Sequence, residues 1–391
     1  MIGTVLFWAG LVISLVIGFI YFRDLGDVVQ MIMKVKREDT ARFIRNEYKL
    51  LTIGIVAAGV MIFAHLRMDA GPNWVFGVSI ALLLLFYGFT YVWVHFALRN
   101  QANSAQFLNI AEAGKFIHPA SSVIVIENNG VARAHPDHEL LQPHLAGNED
   151  GLDGENVIMT YCGMANLGIG YKPEIEGEDL KLTVLAQHCN NLILRDEASN
   201  EPIQQILGFR DRDGKNGPAM TPWPTFRMTF EGFKKAYPDG QVFVKKPSGN
   251  PLVRLFDFVT GTVLSVGIEQ QHRIDKPLMD NMTHSDDRLP TKTYVWGINI
   301  GDDAVCYTKE FIIESGNLIN TSVGGRPIVV AWSPIYQSVG VFYNDTGTSI
   351  TEIDFFGKSN AGNLPRCEML KSGLFWHVWV EFFPQTDVNR A

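Results

Sequence analysis

The chain carries none of the short signatures that mark the common enzyme classes. It has no phosphate-binding G-x-x-x-x-G-K-[ST] loop, no dinucleotide G-x-G-x-x-G turn, no G-x-S-x-G nucleophile elbow and no H-E-x-x-H zinc helix. It also has only four cysteines in 391 residues. The sequence therefore favours a non-catalytic role over an enzymatic one, without deciding between them.

Positive charge is scarce outside the amino-terminal region. Residues 1–99 hold nine basic and six acidic side chains, a balance of +3, while the remaining residues hold 24 basic and 35 acidic side chains, a balance of −11. An acidic globular part without a basic stripe cannot attract a polyanion. We therefore expect no nucleic-acid partner.

Charge is missing altogether from three long apolar segments near the amino terminus, at Ile2–Phe22, Leu50–Leu66 and Trp74–Leu98. The first has 21 residues, which at about 1.5 Å per residue reach roughly 31 Å, the thickness of a bilayer core. The first segment also lacks the basic flank and small-residue cleavage site of a signal peptide. The pattern predicts three transmembrane helices and a lipid bilayer around them.

The loops between these segments differ in charge. Arg23–Lys49 contains seven basic residues, whereas Arg67–Asn73 contains one. By the positive-inside rule the first loop is cytoplasmic, and three crossings then place the globular domain in the cytoplasm, at a bacterial inner membrane. The same loop has an apolar side, which favours an amphipathic helix on the membrane surface; an ordinary helical connector is the alternative.

After Leu98, short β-branched runs alternate with Gly, Pro, Asn and Asp turns, and Asn128-Asn129-Gly130 is a strong hairpin signal. The predicted fold is an α-helical membrane anchor with three transmembrane helices plus a β-rich α+β globular domain built from two duplicated lobes. The predicted divisions are an anchor with a basic amphipathic loop, a helical neck, a first lobe, a less patterned connecting segment and a second lobe, at residues 1–99, 100–120, 121–246, 247–290 and 291–391.

The duplication rests on three correspondences that occur in the same order. V-I-E-N-N-G-V-A-R-A-H-P, which contains His135, aligns with G-I-N-I-G-D-D-A-V-C-Y-T, which contains Tyr307. G-E-N-V-I-M-T-Y-C-G aligns with G-R-P-I-V-V-A-W-S-P, so that Cys162 falls opposite Ser333. F-E-G-F-K-K-A-Y-P-D-G aligns with W-H-V-W-V-E-F-F-P-Q-T. Two related lobes follow, and because one has Ser where the other has Cys, the fold does not require the thiol.

The order G-V-A-R-A-H-P, T-Y-C-G, N-N-L-I-L-R-D-E, P-D-G after Tyr237 and F-W-H-V-W-V-E-F-F-P-Q-T resembles a bacterial and archaeal family of unknown function. The hallmark of that family reads T-Y-C-P-L-C-G, and the resemblance covers about residues 121–388 but not the anchor. The second hallmark cysteine falls on Ala165, so Cys162 has no local C-x-x-C partner. The family implies no activity, and its members often look exported, which makes an extracytoplasmic domain the alternative to the cytoplasmic one.

Sulfur and imidazole groups cluster in the first lobe, where Cys162 ends a strand and His188-Cys189 form an adjacent pair. With His144 they make a candidate metal site, and soft sulfur with imidazole favours copper or zinc. Separate surface histidines, a Cys162 that is only a small buried hydrophobe, and a Cys162–Cys189 disulfide are the alternatives.

These observations predict a membrane-anchored accessory or interaction subunit of a membrane protein assembly, with other integral membrane subunits as partners. The reason is the contrast between the missing catalytic signatures and the large apolar surface in the lipid plane. The alternative is a thiol- or copper/zinc-dependent redox or metal-delivery protein that uses Cys162, His144, His188 and Cys189.

Overall fold

The computed structural model describes residues 1–97, 100–214 and 217–390. Leu98, the last residue of the third predicted span, and Ala391, the last residue of the second predicted lobe, lie outside this part. The helices are Ile2–Leu25, Asp27–Gln30, Arg37–Met68, Asn73–Ala97, Ile110–Ala113, Phe230–Ala236, Pro251–Arg273, Lys309–Glu314 and Trp376–Phe382, with a 3₁₀ turn at Glu139–Leu141.

Four of the described helices are long and apolar enough to cross a membrane. Three of them, Ile2–Leu25, Arg37–Met68 and Asn73–Ala97, contain the predicted spans, and we call them the first, second and third membrane helices. The fourth, Pro251–Arg273, we call the lateral helix; it lies in the segment described above as less patterned. The predicted count of three is therefore corrected to four candidates. The pattern was obscured because two glycines and the charged pair Arg254 and Asp257 interrupt its apolar residues.

The three membrane helices pack closely at small residues. A Cβ atom added to Gly10 of the first helix would lie 2.6 Å from the Ala57 carbonyl oxygen of the second, so only glycine permits this approach. The Tyr87 hydroxyl of the third helix donates a hydrogen bond of 2.9 Å to the Ser14 carbonyl of the first. The anchor is therefore a packed bundle.

The basic segment between the first two membrane helices is not a separate surface helix. The second membrane helix begins at Arg37 and runs unbroken for 32 residues to Met68, so most of the basic residues occupy its first turns. Residues 26–36 are the true connection, which we call the membrane loop. The prediction of an independent amphipathic helix is wrong because the helical hydrogen bonding of the apolar span continues back through Phe43 and Ile44, which are buried.

The described residues of the neck and the first lobe, 100–214 and 217–246, form fifteen strands, arranged mainly in two five-stranded sheets and one three-stranded sheet. The strands are β1 Asn100–Gln101, β2 Gln106–Asn109, β3 Ser122–Asn128, β4 Val131–Pro136, β5 Leu145–Ala146, β6 Ile158–Cys162, β7 Leu167–Tyr171, β8 Glu174–Ile175, β9 Glu178–Asp179, β10 Leu182–His188, β11 Asn191–Asp196, β12 Glu201–Gln204, β13 Pro222–Trp223, β14 Thr225–Thr229 and β15 Gln241–Val244. The neck predicted to be helical instead supplies β1 and β2 to these sheets and only one helical turn, at Ile110–Ala113.

The second lobe contains nine strands. They are β16 Tyr294–Ile300, β17 Asp303–Tyr307, β18 Leu318–Val323, β19 Arg326–Ser333, β20 Ser338–Tyr343, β21 Lys358–Ser359, β22 Gly362–Asn363, β23 Leu370–Phe375 and β24 Asp387–Val388. The hairpin predicted at Asn129-Gly130 is confirmed between β3 and β4, and both turn residues have positive φ, 49° and 86°. A β-rich globular domain therefore follows the apolar helices.

Both lobes contain a sheet of the same order and direction. In the first, β14-β3-β4-β15 has two antiparallel pairings followed by the parallel pairing of β4 with β15, and the helix Phe230–Ala236 joins β14 to β15. In the second, β23-β16-β17-β24 has the same three pairings, and the helix Trp376–Phe382 joins β23 to β24. The observed topology accords with the sequence repeats; the division into domains and the superposition of equivalent strands stay predictions.

The lobes share one hydrophobic core. Trp376 and Trp379, from the aromatic stretch near the carboxyl terminus, are fully buried and belong to the same cluster as Cys162 and Leu167 of the first lobe. Burial of a side chain of this size contributes roughly 1.5–3 kcal/mol. This shared cluster packs the two lobes against each other.

Candidate functional site: a cleft between the membrane loop and the first lobe

The site centres on the turn between β10 and β11. His188 pairs with Asn191, so Cys189 and Asn190 are the two central residues of the hairpin, and both have positive φ, 51° and 55°. Asparagine is common in this conformation, whereas cysteine is rare there. Backbone strain of this kind concentrates at functional sites, which directs attention to Cys189.

This turn is bound to the membrane loop by hydrogen bonds. The backbone amide of Gln187 donates to the Asp27 carboxylate over 3.2 Å, and Trp93 of the third membrane helix donates to the same carboxylate over 3.1 Å. The His188 Nε2 atom lies 2.9 Å from the Val35 carbonyl oxygen. Burial raises the pKa of the Asp27 carboxyl to about 7. The first lobe and the anchor are thus one continuous structure at this point.

Ion pairs extend the same junction along the start of the second membrane helix. Glu47 and Arg195 form a salt bridge in which both side chains are almost fully buried, 2% and 4% exposed. Arg45 contacts Glu201 at 3.1 Å and Arg37 contacts Asp211 at 2.7 Å. Some of the basic residues that suggested membrane topology therefore bind carboxylates of the globular domain.

The thiol of Cys189 and the ring of His188 face each other at 3.0 Å, between Sγ and Nδ1. The Val35 carbonyl can only accept, so Nε2 carries the imidazole proton and Nδ1 is one acceptor for the thiol proton; the Asn281 carbonyl oxygen, 3.4 Å from Sγ, is the other. Burial raises the pKa of the Cys189 thiol, and the neighbouring Glu381 carboxylate raises it further. Burial lowers the pKa of His188. Both groups are neutral at pH 7, so the pair does not supply a thiolate nucleophile.

The pair lines a cleft of about 850 Å³ between the membrane loop, the start of the second membrane helix and the first lobe. Five cationic side chains line it, Lys34, Lys36, Arg37, Arg42 and Arg45. Three acidic side chains also line it, Glu38, Asp211 and Glu381, and the apolar lining includes Leu207, Phe209, Met282 and Phe382. The anchor thus supplies the five cations of a cavity that also has an apolar wall.

The other two predicted site residues lie elsewhere. Cys162 is fully buried in the shared core, its Sγ 3.6 Å from Gln187 Oε1, and burial raises the pKa of its thiol to about 12. His144 is also buried, and burial lowers its pKa to about 4. All four cysteines are free thiols, so the structure does not form the alternative Cys162–Cys189 disulfide.

The predicted zinc or copper site requires three or more ligating side chains at one point. Within the described ranges, no group of three or more His, Cys, Asp and Glu side chains is arranged to hold a metal ion. Of the four predicted ligands, only His188 and Cys189 are in recorded contact with each other. The described geometry does not supply the complete ligand set, and metal binding stays a prediction.

Sequence reasoning missed the residues that complete the site. Asn281 accepts the Cys189 amide hydrogen at 3.1 Å and donates to Gln30 of the membrane loop at 2.9 Å, although it is far from both in the chain. Glu381 accepts hydrogen bonds from the Thr283 amide and hydroxyl. No local motif marks these contacts; only the adjacency of His188 and Cys189 and the basic first loop were visible.

The fold and the cleft define a class of protein with N-terminal apolar helices, able by length and composition to span a membrane, and a β-rich globular domain. Residues 101–386 match the model of a family described as protein of unknown function, DUF3179, and the chain belongs to that family. Searches of curated proteins and of solved structures find no match. Function must therefore be inferred from the site.

Proposed function

We propose that this protein is a membrane-anchored accessory or interaction subunit that binds an anionic segment of a membrane partner in the cleft. The observation that carries the proposal is the joint construction of the cleft. The membrane loop and the second membrane helix supply its cations, and the first lobe, the connecting segment and the second lobe supply the rest of its lining. A ligand in this cavity contacts both parts at once.

Charge and shape favour binding over catalysis. Lys36 and Arg42 are exposed, and the Arg42–Asp39 contact is long, 3.7 Å, with Arg42 75% exposed. Such cations at a rim attract and orient an anionic partner. The neutral state of Cys189 and His188 supports no nucleophilic step. The apolar wall matches a partner that also presents hydrophobic side chains, as integral membrane subunits do.

The test is co-purification of the full chain from its native membrane in mild detergent, followed by native mass spectrometry. We expect the wild type to retain a stoichiometric membrane subunit and the variant Lys36→Glu/Arg42→Glu to lose at least nine-tenths of it. The control Lys115→Glu/Lys358→Glu makes the same charge change at exposed sites outside the cleft. Equal retention by both variants, or no retained subunit in the wild type, contradicts the proposal.

The cytoplasmic orientation also belongs to the proposal. It rests on the basic residues of residues 23–49, several of which pair with acidic groups of the globular domain. Ion pairs with the globular domain reduce the net positive charge of this segment. The positive-inside argument is weaker for that reason, and an extracytoplasmic globular domain stays the alternative. A reporter fused after Ala391 decides, because alkaline phosphatase is active only outside the cytoplasm; activity there would overturn the cytoplasmic assignment.

The second candidate is the thiol- or copper/zinc-dependent role, and the His188–Cys189 contact is the observation that favours it. Elemental analysis of the purified full chain tests it directly. A stoichiometric metal that the Cys189→Ala variant loses would establish this role, whereas a metal-free wild type would leave only the binding role.

A further inference from the structure

The lateral helix has two opposite faces. One face contacts the globular domain through side chains that recur every three or four residues, including Thr260, Ile268 and His272. The other face exposes six large apolar side chains, Leu252, Leu255, Phe258, Val259, Val263 and Val266, which are 47–75% exposed. An exposed apolar patch of this size marks a contact surface.

The globular domain contacts the helix along its length. Gln142 donates to the Thr260 hydroxyl over 3.1 Å, Ile268 packs with the cluster of Leu141, and His272 Nε2 lies 2.7 Å from the Gly163 carbonyl oxygen. If the helix crossed the bilayer, Gln142 and the turn at Gly163 would have to enter the hydrocarbon with it. Length and composition permit a crossing, but these contacts oppose it.

The exposed face is continuous with the membrane part of the protein. Phe256 of the lateral helix packs edge-on against Phe96 of the third membrane helix, with ring centroids 6.3 Å apart. Gln142 also reaches the Phe96 carbonyl oxygen at 3.5 Å. The first turns of the lateral helix therefore lie beside the carboxyl-terminal end of the third membrane helix.

We propose that the lateral helix lies in the interface of the bilayer, parallel to the membrane plane, with its six exposed apolar side chains in the lipid. The face from Leu252 to Val266 extends for about 21 Å. Beyond it the helix becomes polar, with Glu269, Gln270 and Arg273 exposed. This length and amphipathic arrangement suit an interfacial helix that inserts about 5–10 Å. The contact fixes the tilt of the globular domain on the membrane.

Spin-label depth measurements on the full chain in phosphatidylethanolamine–phosphatidylglycerol vesicles test the orientation. Labels are placed singly on Leu252→Cys, Val259→Cys and Val266→Cys, and Lys358→Cys in the second lobe is the control. The four native cysteines are buried and do not compete for the label. Collision rates with oxygen and with a water-soluble nickel chelate give the depth of each label.

We expect the three labels to lie at one depth, about 5–10 Å below the phosphates, and the control label to lie in water. A crossing helix would instead spread the three depths over about 21 Å. That spread, exposure of all three labels to water, or shielding of all three from both reagents by protein would each overturn the proposal. Leu255→Cys and Val263→Cys replace any variant that fails to fold.

Discussion

Each lobe contains one sheet of the same strand order, yet among the described residues only the first lobe makes hydrogen bonds and ion pairs to the anchor. Between β7 and β14 the first lobe adds the three-stranded sheet β10-β11-β12, whose turn binds the membrane loop. At the corresponding place the second lobe has the small hairpin β21-β22. The shared sheet is thus common to both lobes, whereas the added sheet of the first lobe makes the contacts with the anchor.

The same contrast appears at the aligned pair Cys162 and Ser333. Cys162 is fully buried and faces Gln187 of the added sheet, whereas Ser333 is only partly buried and lines an open cavity of about 310 Å³. The added sheet covers the first position, whereas residues 353–356 line an open cavity together with Ser333 at the second, so the two positions differ in solvent access.

The largest expected loss of stability comes from a mutation that breaks the contact between the added sheet and the anchor. Arg195→Ala leaves Glu47 charged, buried and unpaired, which should cost about 3–5 kcal/mol in the free energy of unfolding. Arg326→Ala in the second lobe removes a pair whose side chains are 42% and 62% exposed, so it should cost about 0–1 kcal/mol. Urea unfolding of the detergent-solubilised full chain measures both.

The variant Glu47→Leu/Arg195→Met replaces both charges by apolar groups and should recover most of the loss. If Arg195→Ala and Arg326→Ala destabilised the protein equally, the first lobe would have no special connection to the anchor.

A smaller effect is expected on the pH dependence of stability, where the aligned residues His135 and Tyr307 should differ. Burial lowers the pKa of His135 to about 3, whereas a histidine in the unfolded chain titrates near 6.5. Below pH 6.5 the unfolded chain binds a proton at this histidine and the folded protein does not. The free energy of unfolding therefore falls by about 1.4 kcal/mol per pH unit. From pH 7.5 to 5.0 this amounts to about 2 kcal/mol.

His135→Phe should remove that share of the acid sensitivity, because phenylalanine does not bind a proton. The position should accept a phenyl ring, since the imidazole ring already packs between Phe107 and Phe243. Tyr307→Phe in the second lobe should leave the slope of stability against pH unchanged. Unfolding free energies at several pH values measure both slopes, and an unchanged slope for His135→Phe would refute the assignment.

The smallest expected effect on stability comes from exchanging the aligned residues Cys162 and Ser333 at the start of each turn. Cys162→Ser puts a hydroxyl into the shared apolar core, where Gln187 and the Asn190 carbonyl are the available acceptors, and should cost about 1–2 kcal/mol. Ser333→Cys at the partly buried site should change stability by less than about 0.5 kcal/mol. Equal costs in urea unfolding would show that the added sheet does not determine the environment of Cys162.

Local patterns were sufficient for much of the architecture. The described residues of the three uncharged runs lie in helices, and the Asn129-Gly130 turn forms a hairpin. The lateral helix escaped notice because glycines and charges interrupt its apolar residues. Hydrophobic period and turn chemistry act within a few residues, and such features are legible in a single chain.

The candidate site could be predicted from the sequence only in part, because its contacts join segments that are far apart in the chain. The sequence alone determined that an apolar, helical front precedes an acidic β-rich body, since composition and period are properties of neighbouring residues. Tertiary structure decided that Arg37 and Arg45 bind carboxylates of the first lobe, and that Cys189 rather than Cys162 lines the cleft. Burial and charge pairing depend on which surfaces meet, and that depends on packing across the whole chain.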